Sequence, residues 1–257
     1  MEPAREAVEA GFTHLPLAET GSTNDDALAA LRVGHPAPFW VTAQMQKTGR
    51  GRHGRVWTSP PGNLYATLVL VEPCEQRHAA QFGYLIGLAL HDAIAALAPS
   101  HAARVRLKWP NDVLIDGAKI AGILLEGHRA PDGRFALITG IGVNIAFTPA
   151  DTPYPAAKLT GISADATPQT LFTALTRAFA SRFARWREAP DAALALAALR
   201  EDWLARAHGL DGNVTIRLPG GTREGRFVGL DADGRLLLMN AGGIEAIDAG
   251  DLYFAGM

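Results

Sequence analysis

An α+β fold ending in a small β-barrel is what this sequence predicts, on three observations. Between residues 104 and 145 four apolar stretches, each too short for a helix, are joined by turn dipeptides that include Asp116-Gly117 and Asp132-Gly133. Segments with apolar residues at helical spacing lie on both sides of them, over 75–97 and from Thr167 onward. Beyond residue 208 the helical spacing stops, and short stretches alternate with Gly220-Gly221, Asp233-Gly234 and Gly242-Gly243. Hairpins with helices laid on them describe a mixed or antiparallel sheet with flanking helices, not a doubly wound α/β fold.

Taken in chain order, residues 20–31 read as a turn feeding a helix. Ser22 or Thr23 is placed to cap it, with Asp25 and Asp26 in the first turn, where the helix dipole favours negative charge. Residues 39–44 and 63–71 are strand-like and enclose an arginine- and glycine-rich loop, with Pro60, Pro61 and Gly62 behind it. The helix over 75–97 stops at Pro99. Strands follow at 104–109, 112–115, 119–127 and 134–145, the last two forming a hairpin about Asp132-Gly133. Thr167 as N-cap and Pro168 at the first helical position open a helix to about Glu188, and 192–207 is another. The boundaries expected from this are a catalytic-size unit over 1–207 and an SH3-like β-barrel over 208–257.

Composition excludes several classes. With 48% hydrophobic and 19% charged residues, the 257-residue chain is that of a globular protein. Its formal charge of −2 gives no general affinity for nucleic acid or a membrane surface, so any polyanion site must be local. The opening residues carry acids and no apolar core of signal-peptide type. The 75–97 run is broken by Gln76, Arg77, His78, Gln81, His91 and Asp92, so the expected location is the cytoplasm. A single cysteine, Cys74, rules out an internal disulfide.

The loop "TGRGRHGRVW" holds three glycines and three arginines in residues 49–55. It also satisfies G-x-G-x-x-G, but a dinucleotide fingerprint needs a helix to begin there, and the two prolines that follow forbid one. What remains is a segment whose glycines let N–H groups turn inward while Arg50, Arg52 and Arg55 supply forked donors for a carboxylate or phosphates. Three other stretches carry compatible chemistry. "KWPNDVLI" sets Asn111 and Asp112 at a strand end; "KIAGILLEG" sets Lys119 at a strand start, with Gly122 leaving room for a ligand near the backbone; "GIGVNI" sets Asn144 inside an apolar strand. Each also has a plain structural reading, as turn pair, surface lysine or backbone-paired amide.

These motifs, with "STN" at 22–24 ahead of them, in this order and spacing, resemble the biotin–protein ligases. The resemblance runs from "ETGSTN" to "GIGVNI" and on through the C-terminal β-domain. It implies a class II synthetase-like catalytic domain and an ATP-dependent enzyme that makes biotinyl-5′-AMP, then passes the acyl group to a lysine of a biotin carboxyl carrier protein domain. It implies that Ser22, Thr23, Asn24 and Gln46 contact biotin, that Arg50, Gly51 and Arg52 wrap its carboxylate, and that Gly122 lies beside it. Lys119 and Arg52 are the implied catalytic groups, and Trp57, Asn111, Asp112 and Asn144 join them at the nucleotide, with Mg²⁺ held through Asp112 and water. Members with a repressor role carry an N-terminal DNA-binding domain; with only residues 1–21 ahead of Ser22, none is expected, nor is DNA or a membrane as partner. A monomer or homodimer is expected. Fixing a loop costs about 1–2 kcal/mol per residue, so the arginine loop is expected to order when ligand binds. Two alternatives remain open at this stage: a lipoate–protein ligase, and a nucleic-acid or peptide-binding module. Against the latter, the arginines are not interleaved with stacking aromatics.

Overall fold

The computed structural model describes residues 1–150, 152, 154–248 and 250–254. A seven-stranded sheet organises the first three-quarters of the chain. Its strands are β1 (Thr13–Thr20), β2 (Phe39–Gln46), β3 (Leu64–Val71), β4 (Val105–Lys108), β5 (Asp112–Ile115), β6 (Ala118–Arg129) and β7 (Phe135–Val143), in the order β1-β2-β3-β7-β6-β5-β4. Only β1 and β2 run parallel, which obliges the chain to cross over between them through α2 (Thr23–Arg32); every other pairing is antiparallel. The sheet is therefore mixed, as expected. Asp116 and Gly117 both have positive φ (50° and 80°), the requirement of a two-residue type I′ turn between β5 and β6.

Both faces of the sheet are covered. On one, α3 (Phe82–Leu97) and α4 (Pro168–Glu188) pack together over Leu64, Leu68, Leu107, Ile123 and Ile141; on the other, Ala27 and Leu31 of α2 meet Phe39, Val41, Val69 and Ile138. Central β3 is consequently apolar at nearly every position, without alternation. Residues 76–97 are long and apolar enough to cross a membrane by composition, yet most of that stretch is buried in this core. Thr167 and Thr170 form the capping box of α4, and Asp191 caps α5 (Ala192–Ala205).

The last strands, β8 (Asn213–Leu218), β9 (Gly221–Leu230), β10 (Leu236–Asn240), β11 (Gly243–Ile247) and β12 (Asp251–Phe254), make an antiparallel sheet in the order β11-β10-β9-β8-β12. The expected barrel is thus an open sheet: among the described residues β11 and β12 are its two edges. It is fastened to the helices beside the larger sheet by Tyr84 of α3, whose hydroxyl donates to Gly234 O, and by Gln81 just before α3 and Arg200 of α5, which both donate to Ala232 O (3.2 and 3.0 Å).

Two elements were not anticipated, β1 and the short α1 (Arg5–Glu9). Edge strand β1 carries Pro16, and its side chains are mostly half exposed, so neither strict alternation nor an apolar run announces it. Ser22 occupies the N-cap position of α2, as expected, with no side-chain capping bond.

Candidate active site

Strand polarity gathers the motif residues at one end of the large sheet. Thr20 pairs with Gln46, Ala43 with Tyr65, Leu64 with Val143, Val143 with Ala121, Gly122 with Asp112 and Asp112 with Lys108, so the C-terminal ends of β1, β2, β4 and β7 meet the N-terminal ends of β3, β5 and β6. Above this end lies one cleft. It is lined by Ser22, Thr23, Asn24, Gln46, Arg50, Gly51, Arg52, Trp57, Asn111, Asp112, Lys119 and Gly122, twelve of the thirteen residues singled out from the sequence. The exception is Asn144. It follows β7 instead of lying within it, is buried, and its side-chain amide donates to Ala157 O (3.3 Å).

At one side of the cleft a polar network is fully wired. Gln46 Oε1 accepts from Thr23 N (2.9 Å) and Thr23 Oγ1 (3.1 Å), and Gln46 Nε2 donates to Ser59 Oγ (3.0 Å). Thr67 Oγ1 lies 2.8 Å from Thr23 Oγ1 and 2.7 Å from Asn24 Oδ1, and Asn24 Nδ2 donates to Glu126 (2.6 Å). Buried hydroxyls and amides held this way keep one orientation, as a polar heterocycle needs for recognition.

The arginine loop is held across the cleft by its own side chains. Arg50 makes a bidentate pair with Asp25 (2.7 Å each) and reaches Glu126 (3.3 Å); Arg52 donates to Asn111 Oδ1 and Gly250 O (3.3 Å each); Arg55 pairs with Asp251. Gly51 N donates to Arg55 O (2.7 Å) and Trp57 N to Gly49 O (2.9 Å). These ties link the loop to α2, to the start of β5 and to the C-terminal β-domain. Burial pulls the Arg52 guanidinium below its ordinary value against the attraction of Asp251 and Asp112, while the bond to Asp25 pushes Arg50 up. At Asp251 burial pushes the carboxyl up, but the bond from Arg55 together with the charges of Arg55, Arg52 and His53 outweighs it and holds the carboxyl down.

Lys119 stands at the centre, its ammonium 2.7 Å from Asp112 Oδ1 with both side chains 16% exposed. Beside it the floor is glycine. A Cβ on Gly142 would stand 2.5 Å from the Trp57 indole and one on Gly122 3.2 Å from it, so only a bare backbone lets Trp57 lie against β6 and β7. Trp57 Nε1 is buried against β7 with no hydrogen-bond partner among the described residues. Asp25, Glu126, Tyr154, Asp251 and Tyr253, none of them expected, complete the surroundings.

Comparison with known proteins agrees with this geometry. Residues 20–144 match the model of the biotin/lipoate A/B protein ligase family and 209–254 that of the biotin protein ligase C terminal domain. A biotin–[acetyl-CoA-carboxylase] ligase of Paracoccus denitrificans is 40% identical over 248 residues, 93% of this chain and all of that one. The chain belongs to the biotin–protein ligase family. A second such ligase, of Mycobacterium tuberculosis, is 33% identical over 92% of this chain and 86% of its own length. Among solved structures, the Aquifex aeolicus biotin protein ligase in complex with biotin and ATP superposes with a TM-score of 0.78 at 25% identity, covering 94% of this chain and 97% of that one. The Leishmania major biotin protein ligase with biotinyl-5-AMP gives 0.66 at 29% identity, over 92% and 99%.

Proposed function

We propose that the chain is a ligase that activates biotin with ATP and transfers it to a lysine of a carboxylase carrier protein. The observation that carries this reading is the convergence of Arg50, Arg52, Lys119 and Asn111 on one cleft beside the wired Thr23–Gln46 network. A carboxylate is inert toward an amine. In the first step a biotin carboxylate oxygen bonds to the α-phosphorus of ATP as pyrophosphate leaves; in the second the carrier amine takes the acyl carbon, AMP leaves, and the amine loses its proton.

Bringing a carboxylate to a triphosphate opposes like charges. Lys119 and Arg52 are the groups we assign to that repulsion and to the charge that develops at the α-phosphate. Ser22, Thr23, Asn24 and Gln46 would read the ureido ring; Arg50, Gly51 and Gly122 would border the carboxylate; Trp57 and Asn111 would seat the nucleotide. Among the described residues no group of three or more His, Cys, Asp or Glu side chains is arranged to hold a metal. The single carboxylate of Asp112, next to the phosphate-binding cations, instead suits Mg²⁺ that arrives with ATP and keeps most of its waters. The same reading divides the chain at 207/208 into a catalytic unit and a β-domain, with no role for DNA or a membrane, and takes the enzyme to act in the cytoplasm as a monomer or homodimer.

Incubation with ATP, Mg²⁺, biotin and a carrier domain should yield biotinylated carrier, and pyrophosphate exchange should depend on biotin. Exchange driven by lipoate and not by biotin would replace this reading with the lipoate one, and salt-sensitive DNA binding without exchange would overturn both.

A further inference from the structure

We propose that Tyr154 is a positioning residue for Lys119, one wall of an aromatic cage that aims the ammonium at the reacting anions; the proposal rests on the ligase reading. Tyr154 belongs to none of the motifs. Its place is nevertheless fixed by the backbone. Lys119 N donates to Pro155 O (2.8 Å), Ala157 N donates to Lys119 O (2.9 Å), and Ala156 forms a parallel bridge with Lys119, so the chain at 154–157 runs alongside the start of β6. That pairing brings the Tyr154 ring to 5.2 Å from Lys119 Nζ. The Trp57 ring stands 5.5 Å from the same atom, both within cation–π range. Asp112 Oδ1 pairs with the ammonium at 2.7 Å.

This arrangement suits a group that must serve two anions. A lysine stem is flexible and its ammonium has three donors. A carboxylate that fixes the stem also occupies a donor, whereas an aromatic face attracts the charge without accepting a strong hydrogen bond. With two rings and one carboxylate around it, the ammonium is held in place and keeps two donors for the biotin carboxylate and the α-phosphate. The ring, not the hydroxyl, does this work, so phenylalanine should substitute and an aliphatic residue of similar size should not.

The test uses the full chain. Biotin-dependent ATP–pyrophosphate exchange is expected to lose about tenfold in kcat in Tyr154→Leu, with KM for biotin within about twofold, while Tyr154→Phe stays within about twofold of the parent. A double-mutant cycle read by urea unfolding accompanies it: Tyr154→Leu should lower the midpoint in the parent and much less in a Lys119→Met background. Unchanged kcat in Tyr154→Leu, an equal loss in Tyr154→Phe, or no coupling in the cycle would each overturn the proposal. Should the parent itself show no biotin-dependent exchange, the ligase reading falls, and the unfolding cycle still decides whether Tyr154 holds Lys119.

Discussion

Lys119 and Arg52 share the cleft but stand in different circumstances, and that difference sets what each substitution should do. Lys119 pairs with Asp112 and has two rings within cation–π range at the sheet end, which the proposed reaction makes the place where charge develops. Lys119→Ala should lower pyrophosphate exchange by at least ~2 kcal/mol of transition-state stabilisation, about thirtyfold, with KM for biotin less affected; a parental exchange rate would remove Lys119 from the chemistry. Arg52 instead bridges the loop to Asn111 and to Gly250 O. Arg52→Gly deletes a bond of the lid and a cation together, so adenylate formation should continue at a reduced rate while the product escapes. The check is biotinyl-5′-AMP released into solution during turnover without carrier, and retention equal to the parent's would refute it. Both residues were legible because they sit in motifs whose spacing is itself informative. Asp251 and Tyr154 lie outside the motifs, and Glu126, though inside "KIAGILLEG", was not marked by its spacing, because each reaches the cleft through contact with a distant segment: Glu126 contacts Asn24 and Arg50, and Asp251 contacts Arg55.

Among the elements, the strand ends carry the site, and the glycines of β6 and β7 decide how closely the loop can approach them. The hairpins, α3, α4 and the two Asp-Gly turns followed from apolar spacing and turn chemistry. Edge strand β1, and the fall of Asn144 just past β7, did not, since both depend on which segment pairs alongside and not on local pattern. The sequence drew attention to "GIGVN" for its asparagine, whereas the structure gives the cleft its glycines. Gly142→Ala would push a methyl to 2.5 Å from the Trp57 indole, and Gly122→Ala to 3.2 Å. Because Trp57 is carried by a loop, the indole should move instead of the strand. Gly142→Ala is therefore expected to raise KM for ATP several-fold, more than Gly122→Ala does, with little change in KM for biotin or in thermal midpoint. Equal effects of the two substitutions, or a rise confined to biotin, would show that Trp57 does not seat the nucleotide.

Across the whole molecule, stability in acid should report two half-buried ionisable groups remote from the cleft. His14 of β1 lies against the Phe172 ring of α4 (5.0 Å between centroids) and bonds Thr42 Oγ1 (2.9 Å); burial first, and then the N-terminal ammonium, bring its pKa down to about 4. Asp92 of α3 accepts from Arg182 of α4 (2.6 Å), which also donates to Asp202 of α5 (2.6 Å) and so ties three helices together. Burial pushes the Asp92 carboxyl up, but the bonds from His91 and Arg182 outweigh it and hold it at about 2. For His14 the unfolded chain takes a proton below about 6.5 while the fold resists until about 4, so stability is level above that window and falls as pH drops through it. For Asp92 the unfolded carboxyl protonates first, near the ordinary value of 3.8, so a second loss begins there and runs to about 2. Urea midpoints measured from pH 8 to pH 4 should therefore decline mainly below 6.5, and His14→Gln, which keeps a polar partner for Thr42 without a titrating ring, should flatten that decline. A decline of the same steepness in His14→Gln would mean that the acid sensitivity of the fold lies with other groups, the carboxylates and His208, whose burial also pulls its imidazole down.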